Sequence, residues 1–369
     1  MKKIPWGNNT YEVVEHPTPH ILLDAFKVKP NIPGRWGLKS DNPPKACTME
    51  VLHLSAYKGC TINCRFCSLP QYRGYGLLMH QYGVSVVFEN YDQYVREGLS
   101  NSAIVHTFDF GADADAFMSL NNEYQLTEKT MSVLNDFGVP FTVTSKAAFT
   151  TEGINQLKRN PDNWAQISIY GEHQMDRIVY NMKLLTAAGI KVTARIQPYI
   201  PGFSPPIPSL IELIKDLGFS QVVFGILRAP NGKGKKLLEH YSMVGSFDLV
   251  NLYSESMPGY KQLNKGTQDC LLNEVKKYCE LYQLPLGLCD EYQKQFDGSI
   301  VSLQSKYGTC ESCECVNSYA YVQTTPGKFK KVSGCSGNCL SCTDNKCGVP
   351  EFAASIRTDI KGYQKLLLR

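Results

Sequence analysis

The sequence predicts an α/β protein built on a parallel sheet, followed by a cysteine-rich, irregular domain. Three observations predict it. From residue 49 onward, short apolar runs of strand length alternate about six times with longer amphipathic stretches. Several of the longer stretches stop at a glycine, as helices do. The 14 cysteines fall into separate groups, with none between Cys67 and Cys270. Alternation of this kind gives parallel strands joined by helical crossovers, wound as a barrel or as a doubly wound sheet.

The elements follow in order. Residues 1–48 are rich in Pro, Asn and Gly without a sustained period, and read as an N-terminal arm or cap. The strand runs are MEVLHLSAY (49–57), SAIVHTFDF (102–110), PFTVTS (140–145), AQISIY (165–170), KVTARIQPYI (191–200) and QVVFGIL (221–227). All are rich in β-branched and aromatic residues. Helical stretches between them are FENYDQYVREGL (88–99), LTEKTMSVLNDFG (126–138), HQMDRIVYNMKLLTAAG (173–189) and PSLIELIKDLG (208–218). In the last, Leu210, Ile211, Leu213, Ile214 and Leu217 make one apolar face. The strand–helix core therefore spans 49–228. A connecting helical segment spans 229–288, with a helix over 265–283 on which Cys270 and Cys279 read as buried small apolar residues. Residues 289–369 form the cysteine-rich domain.

Composition narrows the class. The chain is 43% hydrophobic and 20% charged, with a formal charge of +4. That is ordinary globular composition, and the weak positive balance permits an anionic partner without demanding one. No apolar run reaches the length of a membrane span, and MKKIPWGNNTYEVVEH has no apolar core of a signal peptide. The expectation is a cytoplasmic protein without a membrane partner. Cytosolic thiols stay reduced, so clustered cysteines point to metal or redox chemistry rather than disulfides.

Residues 59–67 read GCTINCRFC. Four thiolates would close a metal site, whereas Cys60, Cys64 and Cys67 leave one position open for chemistry. A zinc site completed by Cys47 or His53 has the same spacing. CTINCRFC resembles the C-x3-C-x2-C motif of the radical SAM superfamily, with the aromatic Phe66 before the last cysteine. Its place after the first of about six β/α units is similar too. The resemblance implies a partial (β/α)6 TIM-like barrel and a [4Fe–4S] cluster with one open iron. That iron would chelate S-adenosylmethionine, and one electron would cleave it to a 5′-deoxyadenosyl radical. A narrower resemblance, over roughly 51–228, is to the spore photoproduct lyase-like branch. It rests on DFGADADAFMSLNNEYQLTEKTMSVLNDFGVPFTVTSKA (109–147) and SIYGEHQMDRIVYNMKLLTAAGIKVTARIQPYIPG (168–202). The third strand departs from the pattern in the order of Ser145 and Lys146. Residues 101–120 also lack the cysteine that serves the lyase as hydrogen donor.

The resemblance assigns Phe66 to the adenine and offers Asp113, at the end of the second strand, as acceptor for the SAM amino group. Ser145 and Lys146 end the third strand, and Ser168 and Tyr170 the fourth; these are candidates for the SAM carboxylate or ribose. Arg195 lies inside a strand, where its charge needs a partner, and a carboxylate held bidentately would supply one. Gln197 shares its strand face. NGKGKK (231–236) reads as a surface loop near the barrel mouth, with phosphate binding as the alternative.

The last cysteines allow two four-thiolate sites. Cys335, Cys339, Cys342 and Cys347 make one set, and Cys289, Cys310, Cys313 and Cys315 a second. They resemble the one or two auxiliary Fe–S clusters of many radical SAM enzymes; zinc knuckles are the alternative. The expectation is a radical SAM enzyme fed by a flavodoxin- or ferredoxin-like electron donor. Its substrate class leans to a nucleobase in DNA, RNA or nucleotide. The alternatives are a peptide-modifying enzyme that uses auxiliary clusters and a non-enzymatic zinc-binding module.

Overall fold

A computed structural model of the chain describes residues 2–6, 9–30, 53–67, 75–111, 113–170, 174–289, 291–307, 319–335 and 346–348. Cys47, Cys310, Cys313, Cys315, Cys339 and Cys342, and with them the expected ligand sets that include them, lie outside these residues.

The main sheet has seven strands: β1 (His53–Leu54), β2 (Phe108–Phe110), β3 (Phe141–Ser145), β4 (Trp164–Ser168), β5 (Val192–Tyr199), β6 (Gln221–Ile226) and β7 (Leu286–Leu288). Their order in the sheet is β7-β6-β5-β4-β3-β2-β1. The order never reverses, so the sheet lacks the switch point of a doubly wound sheet. Among the described residues no pairing joins β1 to β7. The sequence predicts six strands; the seventh, LGL, was read as part of the connecting segment because three residues are too few to show a period.

The chain forms two compact units. One takes Met1–Asn63, Cys67–Ala165 and Cys315–Arg369; the other takes Cys64–Phe66 and Gln166–Glu314.

In the first unit β1, β2 and β3 run parallel, with His53 opposite Asp109, Leu54 opposite Phe110 and Phe108 opposite Phe141. Between β1 and β2 the chain forms α1 (Tyr75–Tyr82) and α2 (Tyr91–Ser100). The strand Ser85–Glu89 separates them; it pairs in parallel with His20–Asp24 and antiparallel with Tyr57–Lys58. The N-terminal segment thus contributes a strand rather than only an extended arm. Its buried side chains Ile21 and Leu23 meet the same periodicity test as any strand, but the run is too short to stand out. After β2, α3 (Leu126–Phe137) buries Leu126, Met131, Val133, Leu134 and Phe137 and ends on Gly138 in the left-handed region, as its sequence predicts. Each such apolar side chain contributes roughly 2 kcal/mol when buried. The helix α4 (Thr151–Lys158) starts at Thr150, whose hydroxyl accepts from Gly153 N–H at 2.9 Å. The segment 319–335 also belongs here. Its hairpin, Ala320–Thr325 with Lys328–Lys331, pairs antiparallel with Ile104–His106.

In the second unit β5, β6 and β7 run parallel, with Arg195 opposite Val223 and Phe224 opposite Leu288. The helices are α5 (Met175–Ala187), α6 (Ile207–Asp216), α7 (Gly234–Val244) and α8 (Lys265–Leu281). The buried face of α6 is Ile207, Leu210, Ile211 and Ile214, close to the predicted one. The Lys-rich loop is shorter than expected, because Lys235 and Lys236 already lie in α7. A hairpin of Tyr292–Lys294 and Ile300–Ser302 follows β7. Residues 291–307 and 319–335 belong to different units.

Two outcomes test this description. Gly111 has φ +102°, and a Cβ there would meet the Thr144 carbonyl oxygen at 2.2 Å. Gly111→Ala should cost about 3 kcal/mol, from strain plus overpacking, read as a fall in the urea midpoint. An unchanged midpoint would contradict the turn. On α8, Cys279 is buried and its thiol is pushed up to about 12 by burial, while Cys270 is exposed, against the sequence reading. At pH 8 only about one Cys279 in ten thousand would be thiolate, so a disulfide reagent should modify Cys270 and spare Cys279 until the protein unfolds.

Candidate active site

The cysteine motif follows β1 and the strand Tyr57–Lys58. Gly59 opens it with φ +80°; a Cβ there would come within 2.9 Å of Met79 Cβ. The Gly59 carbonyl accepts the buried Ser85 hydroxyl at 2.8 Å, which fixes the start of the loop to the neighbouring strand. Asn63, at φ +51°, turns the chain in the middle of the motif. Cys60, Cys64 and Cys67 are all half-buried, and none is in a disulfide.

In the first unit, the segment after β2 lies along this loop at three points. Asp113 meets Lys58 and also His53, whose Nε2 is 2.8 Å from Asp113 Oδ2. Burial lowers the Lys58 ammonium to about 8, a shift that the Asp113 carboxylate opposes. Asp115 N–H donates to Cys60 Sγ at 3.4 Å. Ser119 donates its hydroxyl to Thr61 Oγ1 at 3.2 Å. The Asp115 carboxylate is buried and accepts three bonds. They come from Ser145 Oγ at 2.7 Å, Phe117 N–H at 3.1 Å and Lys146 N–H at 2.5 Å. Thus Asp113 already holds two partners, Lys58 and His53, and the Ser145 proton goes to Asp115. Sequence reasoning missed Asp115 and Lys58. The doubled acid in GADADAF was the available signal, but a turn aspartate looks the same.

The second unit gathers another set. The rings of Phe66 and Tyr170 meet edge to face, with centroids 4.8 Å apart. Tyr170 also lies beside Cys64, and its hydroxyl is pushed up to about 12 by burial first and by the Cys64 sulfur second. Ser168, at the end of β4, is buried. Arg195 on β5 donates to Gln166 Oε1 at 3.3 Å, to Gln197 Oε1, and to Cys289 Sγ at 3.5 Å. Gly225 on β6 makes this arrangement fit: a Cβ there would stand 3.1 Å from Gln197 Cγ and 3.2 Å from the Cys289 carbonyl. Cys289 therefore ends a sheet strand beside a guanidinium, a setting its grouping with Cys310, Cys313 and Cys315 did not predict. Of the other thiol set, Cys335 and Cys347 are half-buried, and a Cβ on Gly334 would lie 3.0 Å from Lys346 Cδ. The neighbours of the two cysteines therefore adjoin.

Among the described residues no three His, Cys, Asp or Glu side chains are drawn together as a ready ion site. The fit to a cluster rests on donor chemistry. Three thiols lie within eight positions of one loop, and a peptide N–H is aimed at the first sulfur. That is the bond that stabilises a sulfur carrying negative charge.

No family model matches the chain. A curated relative, the radical SAM Nα-GlyT isomerase of Pseudomonas phage M6, is 22% identical over 348 residues, covering 86% of this chain and 71% of that protein. Among solved structures, SuiB of Streptococcus suis bound to S-adenosylmethionine shares 10% identity over 50% of this chain and 39% of its own, with a TM-score of 0.34. The radical S-adenosylmethionine methyltransferase TsrM of Kitasatospora setae, with cobalamin and a [4Fe–4S] cluster, shares 11% over 57% of this chain and 44% of its own, with a TM-score of 0.37. The chain thus spans less than half of either structure. Across most of its length the chain is similar to a radical SAM enzyme, and its three-cysteine loop follows the first sheet strand. The three thiols of this loop are the donors that would hold an iron–sulfur cluster.

Replacing any one of Cys60, Cys64 and Cys67 with Ala should remove most of the iron, acid-labile sulfide and visible absorption of the anaerobically reconstituted protein while far-UV circular dichroism holds. Stoichiometric zinc and no brown colour in the wild-type protein would overturn the assignment.

Proposed function

We propose that the chain is a radical SAM isomerase whose substrate carries a nucleobase. The observation behind the reaction type is the match over 86% of the chain to a protein named as a radical SAM isomerase. The nucleobase is supported by the lyase-like stretches 109–147 and 168–202, and an isomerase acting on Nα-GlyT fits the same class. When bound, the cluster and S-adenosylmethionine supply a one-electron cleavage that yields a carbon radical able to take a hydrogen atom from the substrate.

The protein's residues bind and orient. In this reading Cys60, Cys64 and Cys67 hold three irons. Phe66 and Tyr170 offer apolar ring surface to the adenine. Arg195, aimed by Gln166 and Gln197, presents a fixed fork to the SAM carboxylate. Asp113, with Lys58 and His53 on its flank, supplies the negative end for the SAM amino group. Lys146 and Ser168, at the ends of β3 and β4, are the ribose contacts, and Ser145 acts through Asp115. Cys335, Cys339, Cys342 and Cys347 hold an auxiliary cluster, and a flavodoxin- or ferredoxin-like protein delivers the electron. Among the described residues no helix is long and apolar enough to cross a membrane.

The test is 5′-deoxyadenosine formation by anaerobically reconstituted, reduced protein. DNA or a thymidine-derived nucleotide should raise it, and peptides should not. Turnover raised by peptide alone would replace the nucleobase with a peptide substrate. Arg195→Met should weaken SAM binding roughly tenfold with the cluster intact, as loss of one charge-assisted pair does. Unchanged affinity would remove Arg195 from the SAM site.

A further inference from the structure

We infer that Asp115 is a positioning residue that sets the electronic state of the cluster through Cys60. The inference rests on the cluster assignment. Asp115 is 7% exposed, and a buried carboxylate is costly unless its oxygens are fully engaged. Here they are, and every donor comes from a place that fixes the turn. Phe117 N–H closes the turn locally. Ser145 Oγ and Lys146 N–H come from the end of β3, thirty residues further along the chain. Ser145 is itself locked, 1% exposed and accepting Ala147 N–H at 2.9 Å.

The consequence lies on the other side of the same residue. With its side chain held by β3, the Asp115 peptide cannot rotate, and its N–H is directed at Cys60 Sγ, 3.4 Å away. A neutral turn residue would close the Phe117 bond equally well. The carboxylate does two further things. It accepts from two β3 donors at once, and it places a negative charge next to a sulfur of the motif. These act oppositely on a cluster. An N–H to sulfur bond withdraws electron density and favours the reduced state, whereas a nearby negative charge favours the oxidised state. Asp115 combines them, so the reducing power of the cluster is set by one side chain that touches neither iron nor substrate.

The opposition makes the test specific. Ser145→Ala keeps the charge and removes the strongest side-chain anchor of the turn. Its cluster should load fully and show a more negative reduction potential than wild type. Asp115→Asn keeps the acceptor for Ser145 and Phe117 and removes the charge, and its potential should be less negative. In protein labelled with 15N-aspartate, the reduced cluster should show a nitrogen hyperfine coupling that weakens in Ser145→Ala. Iron content and circular dichroism confirm that each variant is loaded and folded. If Ser145→Ala takes up no iron, the potential of Asp115→Asn and the coupling in wild-type protein decide. Loaded variants whose potential and coupling equal those of wild type would overturn the inference. So would shifts of both potentials in one direction. A wild-type protein that loads no iron would instead overturn the cluster assignment.

Discussion

The candidate site depends on one constraint: a buried carboxylate must satisfy its oxygens. Asp115 does so with donors from the end of β3, and this ties the ends of two neighbouring parallel strands to the cysteine loop that follows a third. Parallel strands present their C-terminal ends on one side, where ligands gather. Backbone pairing alone leaves the loops there free to move. A network closed on a charge does not, because opening it leaves the charge buried and unpaired at a cost of several kcal/mol. The loop also cannot drift at its start, since Gly59 fits against Met79 and its carbonyl is held by Ser85.

The second unit solves a similar problem with a cation. Arg195 lies inside β5, and amide oxygens from β4 and from its own strand orient it. The space for Gln197 exists because β6 carries Gly225 at the facing position. A side chain on one strand is thus aimed by an absence on the next. Cys289, at the end of β7, completes the group from 94 residues further along the chain. The guanidinium gives Cys289 a setting unlike that of Cys279, which is buried.

What the sequence showed, and what it hid, follows from range. The helices α3, α5, α6 and α8 were legible because their periodicity and glycine stops are local properties of a dozen residues. The strands β3 to β6 were legible for the same reason. The strand Ser85–Glu89 was hidden because its run, SVVFE, joins almost directly onto α2 and its last two residues were read into that helix. The hairpin 320–331 was hidden because its partner, Ile104–His106, lies more than two hundred residues earlier in the chain. At the site, the grouping of the three cysteines on one loop was legible from their spacing, and what they hold rested on the resemblance. Lys58 and Asp115 were not, because their roles come from partners at Asp113 and Ser145 that only folding brings near.

The hydrogen bonds of the motif divide the labour among its sulfurs. Cys60 receives a peptide N–H whose direction is fixed by a charge, and Cys64 lies beside the Tyr170 hydroxyl, a neutral donor in a partly apolar setting. A peptide donor held on both sides changes little with pH, and the tyrosine, pushed up to about 12, stays protonated throughout the physiological range. Neither donor therefore adds a titration near neutrality. An iron–sulfur cluster held by these thiols would have a potential that depends on geometry and fixed charge rather than on the pH of its surroundings.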